Sequence, residues 1–402
     1  MAASNMTSMQ HIFKRQYADK TVANLAVRRH PFMATLRKKS GAWGESFRYA
    51  MDYGQPQGVS AEYAAARAAV SSSAGDQFSV DPVKKYGIIT ISGEAIARSE
   101  GNNAAFYKIV TKETSGIINE VGDSIAFDLQ GAGNGDRGQR TAAATNVITL
   151  SSSNDVRNFK KNMTVVAGPN QDGTSLRTGT AVVTGVNAAS SQITLGSAAG
   201  ITGFADSDYL FRSGDPGNVC DGMESLFPLT APGLSDSFRG VNRSSDAEAL
   251  SGVRLSDTGS TIEENAGRVA IMIHSNGQMA NSLWINPLNF WKIARRRNAE
   301  VMTTFTDRSA KYGFQTIDIV TPGGTLKCYS DPDCRLNRGR VLNMDTLYMK
   351  HMYDLVHVIR DDGKVSLRQT DADGIECRVR SFHNPVCDSG GSNGTFEIAS
   401  AG

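Results

Sequence analysis

The chain has 402 residues, 40% hydrophobic and 20% charged, which is the composition of a core-forming protein long enough for two or three domains. Its apolar runs, such as Tyr86 to Ser92 and Val269 to Ile273, fall far short of the ~18–20 residues that a membrane-spanning helix needs. The opening residues also lack a basic segment followed by an apolar one, so the sequence reads as a protein made and kept in the cytoplasm, with no membrane partner.

The net charge of +2 hides an asymmetry. Residues 1–40 carry eight Lys or Arg and one acid, Asp19, and the remainder has 34 basic against 39 acidic residues, a balance of −5. A basic arm on a mildly acidic body suits docking on an acidic surface, a neighbouring copy of the chain or nucleic acid; a solvated helix face is the plainer alternative. Five cysteines form no regular framework, and an odd count in a chain of this size argues for reduced thiols. Cys377, His383 and Cys387 match none of the usual zinc spacings, so ordinary buried positions are the preferred reading.

In chain order, Met9, Ile12, Phe13, Tyr17, Val22 and Leu25 recur at helical spacing and predict an amphipathic helix whose stripe needs a surface to pack on. Glu45 to Tyr53 and Lys84 to Ser92 read as two strands separated by some thirty residues of Gly, Gln, Pro, Ala and Ser. Such a ribbon with a long polar tip is marginal alone and calls for a supporting surface. From Asn102, the spacing of Phe106, Ile109, Ile117, Val121, Ile125 and Leu129 predicts one long helix, ending at Gly131. Residues 143–214 then alternate short β-branched runs with Gly, Asn and Ser clusters, predicting a small all-β module inserted in the chain. A helix near Thr261 to His274 follows, then a strand, an Asn-Pro turn and a helix from Pro287. The last sixty residues read as long strands joined by short turns.

Four features invite a chemical reading. Gly133-Asn-Gly-Asp-Arg-Gly138 matches the glycine pattern of dinucleotide sites, but such a site follows a strand and opens a helix, whereas here a helix ends and a polar coil is expected. Gly390 to Gly394 has nucleophile-elbow spacing around Ser392 but no downstream His to complete a triad. Asp371 to Gly374 looks like half a calcium loop, yet the twelfth position is Arg380 where a bidentate Glu belongs. Arg295, Arg296 and Arg297 beside Trp291 and Lys292 could contact phosphate, although a solvated or subunit-facing helix flank fits the acidic body better. No catalytic residue, cofactor site or metal site is assigned.

The order of elements, with segments such as "FRYAMDYGQPQG", "NNAAFYKIVTKETSGIINEVGDSIAFDLQGAGNG", "SLWINPLNFWKIARRR" and "GTLKCYSDPDCRLNRGRVLNMDTLYMKH", resembles the tailed-bacteriophage major capsid proteins of Hong Kong ninety-seven type. Encapsulin shells share that fold. The resemblance implies an α+β fold divided into an arm (1–40), an extended hairpin loop (41–92), a peripheral domain with a spine helix (93–131 and 345–402), an axial domain (132–142 and 215–344) and an inserted β domain (143–214). It implies a non-enzymatic shell subunit of hexamers and pentamers in the virion head, enclosing double-stranded DNA without reading its sequence. Scaffolding protein, portal and decoration proteins are the further partners implied. Inter-subunit contacts would come from Ile12, Phe13, Arg15, Tyr17, Arg28, Arg29, Lys38 and Lys39 in the arm and from Gln55, Gln57, Tyr63 and Arg67 in the extended loop. Gly131, Gly133 and Gly135 would act as a hinge. An encapsulin-like compartment is the nearest alternative; a nucleotide-binding enzyme using Gly133–Gly138 and a carbohydrate-binding or tail-structural protein led by the β module are those of other classes.

Overall fold

A computed structural model of the chain describes residues 30–41, 43–97, 103–300, 316–359, 367–369 and 372–399. The expected arm helix and the arm residues Ile12, Phe13, Arg15, Tyr17, Arg28 and Arg29 lie outside them.

The strand Gly374–Cys387 organises the first sheet, pairing antiparallel with Val83–Ser92 on one side and with Leu347–His351 on the other. The short strand Arg37–Ser40 adds parallel to Leu347–His351 at the sheet's edge. The predicted long helix is Asn103–Gln130 and packs against this sheet. Gly87 makes the close approach possible, because a Cβ there would sit 2.7 Å from Ile117 Cγ1 and 2.9 Å from Val121 Cγ2. Val121, Ile125 and Leu129, spaced four apart, drive one helix stripe into a core with Phe32, Met223, Phe227, Trp284 and Leu347. Trp284, fully buried, stacks on Tyr329 with ring centroids at 4.5 Å and meets Phe32 edge-on at 5.1 Å.

A second six-stranded sheet runs in the order Val253–Leu255, Gly394–Glu397, Arg338–Leu342, Ser282–Ile285, Gly324–Ser330 and Thr316–Thr321. The helix Ile262–Ser275 buries Ile262, Ala266, Val269, Ala270 and Ile273 against it, and Pro287–Glu300 packs Ile293 into the same core. Thr261 caps the first of these helices by accepting from the Glu264 N–H.

Two expectations differ from the structure. The strand Phe47–Gly54 pairs with Ala74–Val80, from Phe47↔Val80 to Gly54↔Ala74, and not with Val83–Ser92, which belongs to the large sheet. The Ala74–Val80 strand is written in Gly, Asp, Gln and Ser, so its β-character comes from pairing and from Phe78 and Val80, both buried, more than from propensity. The segment after Gly135 is likewise a strand, Asp136–Ala144, where a coil was expected. It closes a six-stranded barrel with Val147–Leu150, Gln192–Leu195, Ala181–Asn187, Thr164–Gly168 and Tyr209–Arg212. Ile148, Leu150, Val165, Val183, Ile193, Leu195 and Leu210 fill its interior.

Candidate functional site

The hairpin Phe47–Gly54/Ala74–Val80 is anchored at its base and bare at its tip. Met51 and Phe78 pack with Val241 and Leu250, and Trp43 Nε1 donates to the Val80 carbonyl at 2.8 Å. Beyond Gly54, Gln57 and Ser71 clasp the loop: the Ser71 N–H donates to the Gln57 carbonyl at 2.8 Å, and the Gln57 N–H to Ser71 Oγ at 3.0 Å. The short helix Tyr63–Ala68 above the clasp buries none of its residues. Val59, Tyr63 and Val70 are 89%, 81% and 72% exposed. Isolated helices this short are unstable in water, and this tip exposes apolar side chains that the rest of the described residues do not cover. Gln55, Gln57, Tyr63 and Arg67 all lie in this loop, whereas Lys38 and Lys39 are exposed on the edge strand. Lys39 Nζ sits 3.5 Å from the Tyr348 ring centroid and 3.8 Å from Asp388 Oδ2.

Elsewhere in the subunit, the end of the long helix is tied to the large sheet and the barrel by buried charges. Lys85 Nζ, on the sheet, contacts Asp128 Oδ2 at 2.8 Å and Asp215 Oδ1 at 2.9 Å; Asp128 is the helix's contribution, and Asp215 follows the barrel's last strand. Arg137, on the barrel's first strand, reaches Asp215 Oδ2 at 3.4 Å. All four residues are buried. Burial alone would lower the Lys85 pKa, but the two carboxylates outweigh it and hold the ammonium charged, with its pKa raised. Burial, reinforced by Asp215 and opposed by Lys85, raises the pKa of Asp128.

A turn earlier on the helix, Lys160 of the barrel bonds Glu120 and Asp123, and Arg212 also pairs with Glu120. Asp123 faces His30 as well, with Oδ1 2.7 Å from Nε2, while His30 Nδ1 meets Asp333. Burial disfavours the imidazolium, yet its two carboxylate partners raise the His30 pKa to about 9. Near the helix C-terminus, Arg340 and Arg338 converge on Glu224 at 2.9 and 3.1 Å, and Arg340 also donates to the Gln130 carbonyl.

The glycine corner lies inside this framework. Gly133 and Gly135 have φ of +81° and +79°, a region that favours glycine. Their missing Cβ atoms would face Asp221 Oδ1 and Asp215 at 3.3 Å. A helix C-terminus precedes the loop and a strand follows it, and the carboxylates beside it are already paired, Asp215 with Lys85 and Arg137 and Asp221 with Arg239. This is the reverse of a phosphate cradle, so the nucleotide-binding reading of Gly133–Gly138 is not supported. Ser392 is buried and bonds Ser389 and Gln278, as a structural turn residue does. Cys377, His383 and Cys387 share one strand; at ~3.3 Å per residue they are spaced too far apart to ligate one metal ion. Arg295 lies 5.4 Å from the Trp291 ring centroid, and Arg296 pairs with Glu263 at 3.5 Å.

Sequence reasoning passed over His30, Lys85, Asp123 and Asp128. One signal was available for Asp128: it falls three residues after Ile125 and seven after Val121, within the apolar stripe. A carboxylate placed there requires a buried cation.

The long helix on a strand-rich sheet, the second α/β sheet and the projecting hairpin together form the fold of phage capsid structures: the chain is similar to the capsid asymmetric unit of cyanophage A-1(L) at 10% identity, over 95% of this chain and 96% of that one, with a TM-score of 0.53. A Mycobacterium phage Ogopogo structure matches at 10% identity over 99% and 100%, TM-score 0.47. The holo-SrpI encapsulin complex from Synechococcus elongatus PCC 7942 matches at 7% identity over 99% and 96%, TM-score 0.47. No protein-family model and no curated protein sequence matches the chain.

Proposed function

We propose that this chain is the major capsid protein of a tailed bacteriophage, a non-enzymatic subunit that assembles into hexamers and pentamers of an icosahedral head around double-stranded DNA. The observation that carries the reading is end-to-end likeness to the cyanophage A-1(L) capsid structure, over nearly the whole of both chains. The bare hairpin tip supports it, since an exposed apolar helix of six residues gains its stability only on a neighbouring surface. In this reading residues 1–40 and the loop carrying Gln55, Gln57, Tyr63 and Arg67 reach adjacent subunits, and Gly131, Gly133 and Gly135 form the turn between spine helix and central domain. Scaffolding, portal and decoration proteins are its expected partners, and assembly takes place in the host cytoplasm.

Electron microscopy with sedimentation of the purified protein, alone and with scaffolding protein supplied, tests this. Closed shells are the expected result, and persistent monomers or dimers under all conditions overturn it. Tyr63→Ser should leave the melting temperature of the free subunit unchanged while reducing shell yield; normal shells would remove the loop from the contact.

A further inference from the structure

The barrel's outer wall has an unusual charge distribution. Residues 141–154 and 178–205 contain no Asp, Glu, Lys, Arg or His, in a chain that is 20% charged. These segments supply four adjacent strands, Asp136–Ala144 (from Thr141 onward), Val147–Leu150, Gln192–Leu195 and Ala181–Asn187. Register aligns their residues into two rows, Ala142–Thr149–Gln192–Asn187 and Ala144–Val147–Thr194–Gly185. The residues between these rows, Ile148 and Ile193, point into the barrel core. Thr184 is exposed on the same wall, and Val182 and Val186 are each 43% exposed. The barrel's other charges lie outside this wall: Arg137, Lys160 and Arg212 face the long helix side, Arg140–Asp206 and Arg177–Asp208 pair among themselves, and the exposed Lys161 marks the wall's edge, next to Asn162, whose N–H donates to the Val183 carbonyl.

We propose that this charge-free wall docks on the same wall of a second copy of the chain. Where a surface meets itself across a two-fold axis, every residue near the axis faces its own copy, so any charge there meets a like charge. A wall of Thr, Ala, Val, Gln and Asn has no such repulsion, and its uncharged side chains form hydrogen-bonded and apolar cross-contacts with equal ease. One such contact is weak, and a shell multiplies it through the effective concentration of neighbouring subunits. The inference rests on the shell reading, and its test separates the two.

All five cysteines of the chain are buried, so a single engineered surface thiol is the reactive one. Thr184→Cys, assembled into shells and treated with a short bis-maleimide, should give a band at twice the chain's mass on a denaturing gel. Free subunits and shells carrying Asp206→Cys, on a side of the barrel where charges pair, should not. Val182→Glu should lower shell yield several-fold from purified protein alone, with the melting temperature of the free subunit unchanged. Normal shells without the Thr184→Cys dimer overturn the wall contact while leaving the shell reading intact. A dimer band from Asp206→Cys equal to that from Thr184→Cys also overturns it, since the crosslink would then report crowding. Absence of shells from the unaltered protein overturns the reading on which the inference stands.

Discussion

Replacing Lys85 by Met tests whether the buried junction holds the subunit together. The ammonium sits 2.8 Å from Asp128 and 2.9 Å from Asp215, and the Asp128 side chain is 1% exposed. Met fills a comparable volume, so the loss is chiefly electrostatic: Asp128 is left with no cation as close as Lys85 was. Removing one partner of a buried pair costs about 3–5 kcal/mol. For a chain of this size, with an unfolding entropy of about 0.8 kcal/mol/K, the melting temperature of the free subunit should fall by roughly 4–6 °C. The deficit has a pH signature. Without Lys85 the already raised Asp128 pKa rises further, so the folded state takes up protons that the unfolded state releases, and stability falls as pH increases. Lys85→Met should therefore be less stable at pH 8 than at pH 5 relative to the unaltered chain, by calorimetry or urea unfolding. Adding Asp128→Asn removes the stranded charge and should recover more than half the loss. A single variant within about 1 kcal/mol of the parent, or a double variant no better than the single, would refute the reasoning.

His30 has a folded pKa of about 9 against ~6.5 when unfolded, so its contribution is complete below pH 6.5 and lost as pH rises through 9. Allowing for solvent screening, on the order of 2 kcal/mol is at stake, and His30→Gln should flatten the decline of stability between pH 7 and 9.5; a parallel decline would separate it from Asp123, Asp333 and the nearby Asp331. His383 behaves oppositely: burial, then Lys85 and His351, push it down to about 3, so stability present above pH 6.5 drains as pH falls toward 3. The slope is about 1.4 kcal/mol per pH unit at most, and His383→Gln should lose less stability on acidification. Gly133→Ala, forcing a left-handed residue against Asp221, should cost about 1–2 kcal/mol. Gly222→Ala should cost about 3 kcal/mol or more, since its Cβ would lie 2.4–2.7 Å from the carbonyl oxygens of Asp128, Gly131 and Leu129; equal costs measured by urea titration would contradict the packing.

Periodicity carried the helices well. The stripe ending at Leu129 foretold a helix to Gln130, and the Asn-Pro step placed the start of Pro287–Glu300. Five barrel strands were visible as β-branched runs, but the sixth, Asp136–Ala144, was not, because Asp-Arg-Gly-Gln-Arg-Thr-Ala-Ala-Ala has little strand propensity. Barrel closure overrides it: Asp136 and Arg137 are buried at ion pairs with Arg335 and Asp215. The hairpin failed for a related reason. Val83–Ser92 is the stronger strand by composition, yet ten residues of it pair with Gly374–Cys387, a partner far away in sequence that no local pattern announces. The junction itself was invisible because charges separated by up to 130 positions meet only in the folded chain.

The junction also changes what a hinge at Gly131, Gly133 and Gly135 would require. Lys85 joins Asp128, just before the corner, to Asp215, which follows the barrel's last strand and lies beside Gly135, and Arg340 reaches back to the Gln130 carbonyl. Free rotation about the glycines would tear these contacts and expose paired charges in a dry interior. These contacts oppose free rotation about the glycines, so an alternative shape of the subunit would pair the same charges again in a second arrangement, since packed interiors switch between discrete states. Removing the charges by Lys85→Met with Asp128→Asn should soften the corner without unfolding it. Shells of that double variant should then show a broader spread of diameters by electron microscopy than shells of the parent. A spread as narrow as the parent's would mean that shell curvature is set elsewhere, and the glycine corner would keep only its role as a tightly packed turn.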